Sequence, residues 1–155
     1  MSAEDRLKRL GISLPAPPKP AGLYAPALQT GSLLYVSGQV PVLEGQPVRR
    51  GKLGENVSPE DGAELAGVCT LNALAIVRQH LGTLDRVRQV VRVGGFVACV
   101  EGFIEHPRVI NGASQLLIDV FGEEAGRHAR VAVGVTDLPL GVPVEVEFLF
   151  EVAEQ

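Results

Sequence analysis

Apolar residues recur along this chain with two different periods, and together the periods predict an α+β fold. Two long segments place apolar side chains three and four residues apart, which is the spacing of a helix face that packs on a core. The other apolar segments alternate apolar with polar residues, as strands with one covered face do. In chain order the elements are strand, strand, helix, strand, helix, strand and strand. This order favours a sheet covered on one face by two helices.

Both long helices have ends that the sequence predicts. The first is predicted over 58–82, because a serine that can cap free N–H groups is followed by proline, and a glycine stands at the far end. The second is predicted to open at Pro107 and to end at Gly122. A shorter helix is predicted over 3–10, and the proline-rich segment 14–20 stops it.

The strands are predicted from alternation and from the turn residues between them. Residues 40–57 are rich in glycine, proline and charge, and are predicted as a loop with at most one short strand. In the longest strand, Gly94 and Gly95 indicate a bulge or a close backbone approach, and strict alternation puts Val90 and Val93 on opposite faces. The predicted strands are two short ones within 24–39, then 86–100, 129–135 and 142–152.

Length, composition and charge narrow the class of protein. The chain has 155 residues, 46% of them hydrophobic, which suits a single domain: an N-terminal helix and proline-rich arm over 1–20, then the main domain over 21–155. The formal net charge of −4 argues against a nucleic-acid-binding domain, whose surface is usually basic. With no apolar leader and no apolar run long enough to cross a membrane, a soluble cytoplasmic protein is predicted.

The residues that most often carry chemistry form no familiar motif. Cys69 and Cys99 both lie in apolar runs and are predicted to be buried free thiols. The histidines are scattered without a His or Cys neighbour at metal-binding spacing, so no metal, cofactor or triad role is predicted for them. His80 and His106 are expected to cap helix ends, and His128 has no assigned partner.

One arginine does not fit ordinary strand packing. Arg130 begins a strand on whose same side Ala132 and Gly134 follow, and such small residues leave space beside a guanidinium. An arginine in a recess is suited to bind a carboxylate, and Glu145 on the last strand is expected within reach of the same recess. The residue pattern alone favours a simpler interpretation, in which Arg130 forms a cross-strand ion pair with Glu145 or Glu147.

Spaced sequence elements around these residues resemble a known family. The segment 129–147 reads Ala-Arg-Val-Ala-Val-Gly-Val-Thr-Asp-Leu-Pro-Leu-Gly-Val-Pro-Val-Glu-Val-Glu, which is similar to the C-terminal signature of the Rid (YjgF-type) imine deaminases. Gly-Leu-Tyr at 22–24, Val-Ser-Gly-Gln-Val-Pro at 36–41 and Val-Ile-Asn at 109–111 resemble further elements of that family. The resemblance covers about residues 20–152.

The resemblance implies a fold, an assembly and a set of site residues. It implies a mixed, mainly antiparallel sheet backed by two helices, of the chorismate-mutase-like type, and a homotrimer around a central barrel with pockets between subunits. Arg130 matches the arginine that binds the substrate carboxylate, and Glu145 the glutamate that positions water. Tyr24, Ser37 and Asn111 match pocket residues of the family. No cofactor or metal is implied.

The function implied by the resemblance is hydrolysis of small 2-imino (enamine) acids to 2-keto acids and ammonia. Two other functions stay open: a non-catalytic regulatory trimer that binds a carboxylate metabolite, and an endoribonuclease, which ranks last because the chain has no basic stripe. Leu23, Val131 and Ala132 depart from the family pattern. These departures alter the pocket wall, so the side chain of the substrate is not predicted.

Overall fold

The fold is described from a computed structural model over residues 1–154. Its helices are Ala3–Leu10 (α1), Pro59–Leu81 (α2) and His106–Gly126 (α3). Its strands are Ala27–Thr30 (β1), Leu33–Gln39 (β2), Val42–Leu43 (β3), Gln46–Pro47 (β4), Val87–Ala98 (β5), Ala129–Val135 (β6) and Val144–Val152 (β7). Short 3-10 turns cover Leu84–Arg86 and Pro139–Gly141.

Five of the strands form one sheet, in the order β1-β2-β7-β5-β6. Only β5 and β6 run parallel, because α3 carries the chain back between them; the other pairings are antiparallel. The two long helices cover one face of this sheet, and the core lies between them and β7, where Val144, Val146, Phe148 and Phe150 are buried. The predicted α+β architecture is confirmed. No helix within residues 1–154 combines the length and hydropathy needed to cross a membrane.

The predicted ends of α2 are confirmed by their local geometry, whereas the predicted end of α3 is not. The Ser58 hydroxyl accepts a hydrogen bond from the Asp61 N–H at 3.1 Å, and Gly82 adopts the left-handed conformation that closes α2. In α3 the helical conformation breaks at Gly122, whose φ is 88°, and a short second turn then continues to Gly126. The predicted end at Gly122 therefore marks an interruption of α3, and the last turn was missed.

Two strand predictions are wrong. The loop predicted over 40–57 contains two short strands, β3 and β4, because Glu44 and Gly45 both have positive φ and form a tight hairpin turn. Strict alternation fails in β5, where Val90 and Val93 are both fully buried on the helix side. The cause is a pair of register shifts against β7, between Val87 and Gln89 and between Val90 and Arg92.

Small residues allow α3 to lie close to its neighbours. A Cβ on Gly95 would stand 2.4 Å from the Ile110 side chain, so the close-approach interpretation of the glycine pair is confirmed. A Cβ on Gly112 would stand 1.9 Å from the carbonyl oxygen of Ala63, which is backbone of α2. These contacts hold the N-terminal half of α3 against both the sheet and α2.

The N-terminal helix is tied to the same core. Leu7 is buried among core residues, and the Glu4 carboxylate accepts bonds from two nitrogens of Arg78 on α2, at 3.0 and 2.5 Å, and from the Leu84 N–H at 3.0 Å. Burial by itself raises the pKa of Glu4, but these hydrogen bonds outweigh burial and lower it. The carboxylate is therefore an anionic anchor for α1 at neutral pH.

We expect Gly112→Ala to destabilise the fold, because the added methyl group meets backbone that cannot move unless α2 and α3 separate. The expected loss is more than about 3 kcal/mol in the free energy of unfolding, measured by urea denaturation at fixed protomer concentration. Gly67→Ala is the matched control, since its Cβ would meet nothing within 4 Å and should stabilise α2 by about 0.5–1 kcal/mol. Equal stability of the two variants would contradict this packing.

Candidate functional site

Arg130 points from the edge strand β6 towards α3. Its Cα partner on β5 is Val93, which is buried on the helix side, so Arg130 shares that side. Its Nη1 donates to Asn111 Oδ1 at 2.8 Å and to Ser114 Oγ at 3.1 Å, and its Nη2 donates to the Pro107 carbonyl at 3.3 Å. One face of α3 therefore holds the guanidinium, and the structure brings together the predicted pair Arg130 and Asn111.

The guanidinium of Arg130 keeps unused bonding capacity. Three of its five N–H groups are occupied by those contacts, and within residues 1–154 no carboxylate forms an ion pair with it. Partial burial lowers the pKa of Arg130, although the group stays cationic at neutral pH. A cavity of about 210 Å³ lies beside it. The cross-strand ion pair is wrong, because Glu147 pairs with Arg92 instead, at 3.0 Å.

The other predicted residues gather on the opposite face of the sheet. Glu145 lies over Gly38, where an added Cβ would stand 3.0 Å from the carboxylate oxygen Oε1. The Ser37 hydroxyl donates to the carbonyl of Ala25 at 2.7 Å, and the neighbouring Tyr24 has half its surface exposed (51%). Ser37, Tyr24 and Glu145 therefore belong to one region, near the start of β7 where it meets the end of β2.

Arg130 and Glu145 do not share a recess within one chain, which corrects the sequence-based expectation. That expectation treated the last two strands as neighbours, but β5 lies between β6 and β7. Along β7, Glu145 also alternates with Val144 and Val146, which face the helices, so its side chain faces away from them. A single protomer therefore carries two separated half-sites, one on each face of the sheet.

Burial raises the pKa of the Glu145 carboxyl above its usual 4.5, and the negative charge of Glu147 adds to the rise. The cavity near this half-site has a volume of about 780 Å³ and lies under the proline-rich arm, residues 15–21. Tyr24, Gly38 and Val40 contribute to its wall. Glu145 is thus a half-buried carboxyl of raised basicity that lies over Gly38, one of the residues lining this cavity.

The thiols and two of the histidines depart from their predicted roles. Cys69 is buried as predicted, and burial raises the pKa of its thiol, but Cys99 is half-buried and lies 3.5 Å from His106 Nε2. His80 contacts the Gln29 side chain and His106 is the first residue of α3, so neither caps a helix.

Sequence reasoning missed two residues beside Arg130. The position of Ser114 could be predicted in part, because Ser114 follows Asn111 by three residues and so lies on the same helix face. His128 gave no signal, since its partner Ser114 is fourteen residues away along the chain. Within residues 1–154 no group of three His, Cys, Asp or Glu side chains is placed to hold a metal ion.

Comparison with known proteins shows the family to which this chain belongs. Residues 4–152 match the family model described as "YjgF/chorismate_mutase-like, putative endoribonuclease". The chain belongs to the Rid (YjgF-type) family. It is 45% identical to protein TCP17 of Trypanosoma cruzi, over 94% of this chain and 91% of that protein.

Two further Rid-family comparisons bear on fold and chemistry. The crystal structure of Atu1372 from Agrobacterium tumefaciens, described as having unknown function, is 42% identical, with a TM-score of 0.89 over 97% of this chain and 92% of that one. A protein of Dermatophagoides farinae named 2-iminobutanoate/2-iminopropanoate deaminase is 27% identical over 88% of this chain and 91% of its own length.

We expect Glu147→Gln to lower the pKa of Glu145, because the substitution removes the neighbouring negative charge that helps to raise it. The measurement is an NMR titration of the side-chain carboxyl carbons. Glu151→Gln, further along β7, is the control and should leave the Glu145 titration in place. An unchanged Glu145 titration in Glu147→Gln would show that burial alone sets the basicity.

Proposed function

We propose that this protein is a cofactor-independent deaminase that hydrolyses small 2-imino or enamine acids to 2-keto acids and ammonia. The strongest support comes from Arg130. Asn111, Ser114 and Pro107 fix this cation, and its two remaining N–H groups form no ion pair with a carboxylate of residues 1–154. Two parallel N–H groups of arginine are suited to a substrate carboxylate. The relative named as an imine deaminase favours the same reaction.

The reaction needs orientation more than elaborate chemistry. The carbon of a protonated imine is already electrophilic, so a bound substrate and one placed water supply most of the rate. Arg130 holds the carboxylate, and Glu145 accepts a proton as the water oxygen bonds to the imine carbon. The carbinolamine nitrogen then takes up that proton and leaves as ammonia, while the hydroxyl oxygen gives its proton to Glu145 and forms the C=O bond of the 2-keto acid.

A complete pocket in this proposal requires a second copy of the chain. Arg130 and Glu145 lie on opposite faces of the sheet, so one protomer does not bring both to a single substrate. The face that carries Glu145 is not covered by helices, and it exposes apolar side chains. Those with large exposed fractions are Leu28, Tyr35, Val131 and Val133. Association through this face, as a homotrimer, would bury them and join the two half-sites.

We expect Arg130→Ala to lower kcat/KM for 2-iminopropanoate, generated in situ, by at least about 100-fold, or about 2.7 kcal/mol, because the carboxylate loses its charged anchor. Arg130→Lys should recover only part of this, since an ammonium lacks the planar fork. Arg108→Ala, an exposed arginine paired with Glu60 and Glu105, is the control.

Clearance by Arg130→Ala at the wild-type rate would contradict the proposed reaction. Stabilisation of the wild-type protein by 2-keto acids, without turnover of any imine, would instead support the carboxylate-binding alternative. The two outcomes are separated by running the thermal-shift and clearance assays on the same preparation.

We expect the wild-type chain to be a trimer by size-exclusion chromatography with light scattering. Val133→Glu should yield monomers and abolish turnover together, because it charges the uncovered sheet face. Ile104→Glu is the matched control: Ile104 is the more exposed residue (81%) and belongs to the loop between β5 and α3 rather than to a strand of the sheet, so trimer and activity should persist. A Val133→Glu variant that is monomeric yet fully active would refute the shared pocket.

A further inference from the structure

A serine and a histidine joined by a hydrogen bond lie beside Arg130. Ser114 Oγ lies 2.8 Å from His128 Nε2, and His128 Nδ1 lies 2.7 Å from the carbonyl oxygen of Gly126. Both side chains are half-buried. Ser114 belongs to α3, whereas His128 lies between α3 and β6, so the break of the helix at Gly122 and the turn after it place the imidazole.

The directions of these hydrogen bonds follow from their partners. A carbonyl oxygen only accepts, so His128 Nδ1 must carry the proton. In the neutral imidazole Nε2 is then an acceptor, and the Ser114 hydroxyl must donate to it. Arg130 Nη1 donates to the same hydroxyl oxygen at 3.1 Å. The serine proton is therefore directed at a basic nitrogen, while a cation faces the serine oxygen.

The pair also has open space and positive charge beside it. Ser114, His128 and Arg130 line the cavity of about 210 Å³ together with Ile118 and Arg127. Such a volume lies below the usual range for drug-sized ligands and admits a small acyl group. Burial lowers the pKa of His128, and the charge of Arg130 lowers it further, against the opposing bond to Gly126. The imidazole is thus in its basic form at neutral pH.

We propose that Ser114 is a nucleophile, activated by His128, that accepts the acyl group of small esters in this cavity. The arrangement has the parts that nucleophilic catalysis needs: a hydroxyl, a base within hydrogen-bond distance and a third group that orients the base. Arg130, which donates to the hydroxyl oxygen of Ser114, supplies positive charge beside the reacting oxygen. This esterase activity does not require imine hydrolysis, although both proposed reactions use Arg130.

The chemical steps balance without a co-reactant other than water. Ser114 Oγ bonds to the ester carbonyl carbon as its proton passes to His128 Nε2, and the proton is then given to the departing alkoxide or phenoxide. Water next adds to the acyl-serine with its proton taken by the same nitrogen. The carboxylic acid leaves, and the proton returns to Ser114.

The test uses the full-length protein and p-nitrophenyl acetate. We expect a burst of p-nitrophenol and an acetyl group on the peptide that contains Ser114, found by mass spectrometry. Ser114→Ala should abolish both, and His128→Asn, which keeps a donor for Gly126 but no base, should slow the burst about 100-fold. Circular dichroism confirms that each variant is folded.

Matched controls separate this site from unspecific acetylation. Ser13→Ala removes an exposed serine of the arm, and His80→Asn removes an exposed imidazole, which by itself can hydrolyse nitrophenyl esters. Both should behave as wild type. Acetylation confined to other residues, or equal bursts in wild type and His128→Asn, would overturn the proposal. The imine clearance assay is run separately on His128→Asn, because Ser114→Ala also removes a hydrogen-bond partner of Arg130.

Discussion

The functional interpretation depends on the hydrogen bonds that the Arg130 guanidinium donates to α3. An arginine on an edge strand would ordinarily extend into water or pair with a carboxylate, and neither arrangement leaves it ready to bind an anion. Here Asn111, Ser114 and the Pro107 carbonyl take up three N–H groups without neutralising the charge. The cation is oriented by neutral acceptors, so its remaining N–H groups and its full charge stay available to a ligand.

Those hydrogen bonds require α3 to lie very close to the sheet and to α2. Gly95 removes a side chain that would displace Ile110, and Gly112 removes one that would strike the backbone of α2 at Ala63. Because Asn111 is next to the second of these contacts, a shift of the helix there would carry the amide away from Arg130. The packing of small residues in the fold and the geometry of the site are therefore one constraint.

Features set by local chemistry were predictable, and those set by strand order were not. The cap of α2 at Ser58 follows from side-chain bonds to nearby N–H groups, and the break at Gly122 from a conformation that glycine adopts easily. The separation of Arg130 from Glu145 depends on β5 inserting between strands that are consecutive in sequence. No spacing in the sequence records that insertion, so the sequence-based expectation placed both residues in a single site.

The proposed anion site at Arg130 and the proposed serine site at Ser114 and His128 are also coupled electrostatically. The charge of Arg130 helps to keep His128 unprotonated, and an unprotonated Nε2 is what receives the Ser114 proton. A carboxylate bound to the free N–H groups would offset part of that charge and make the imidazole more basic. The hydroxyl between them, in contact with both, would then be polarised more strongly by the histidine. Occupation of the proposed anion site would thus change the proposed serine site through one shared guanidinium.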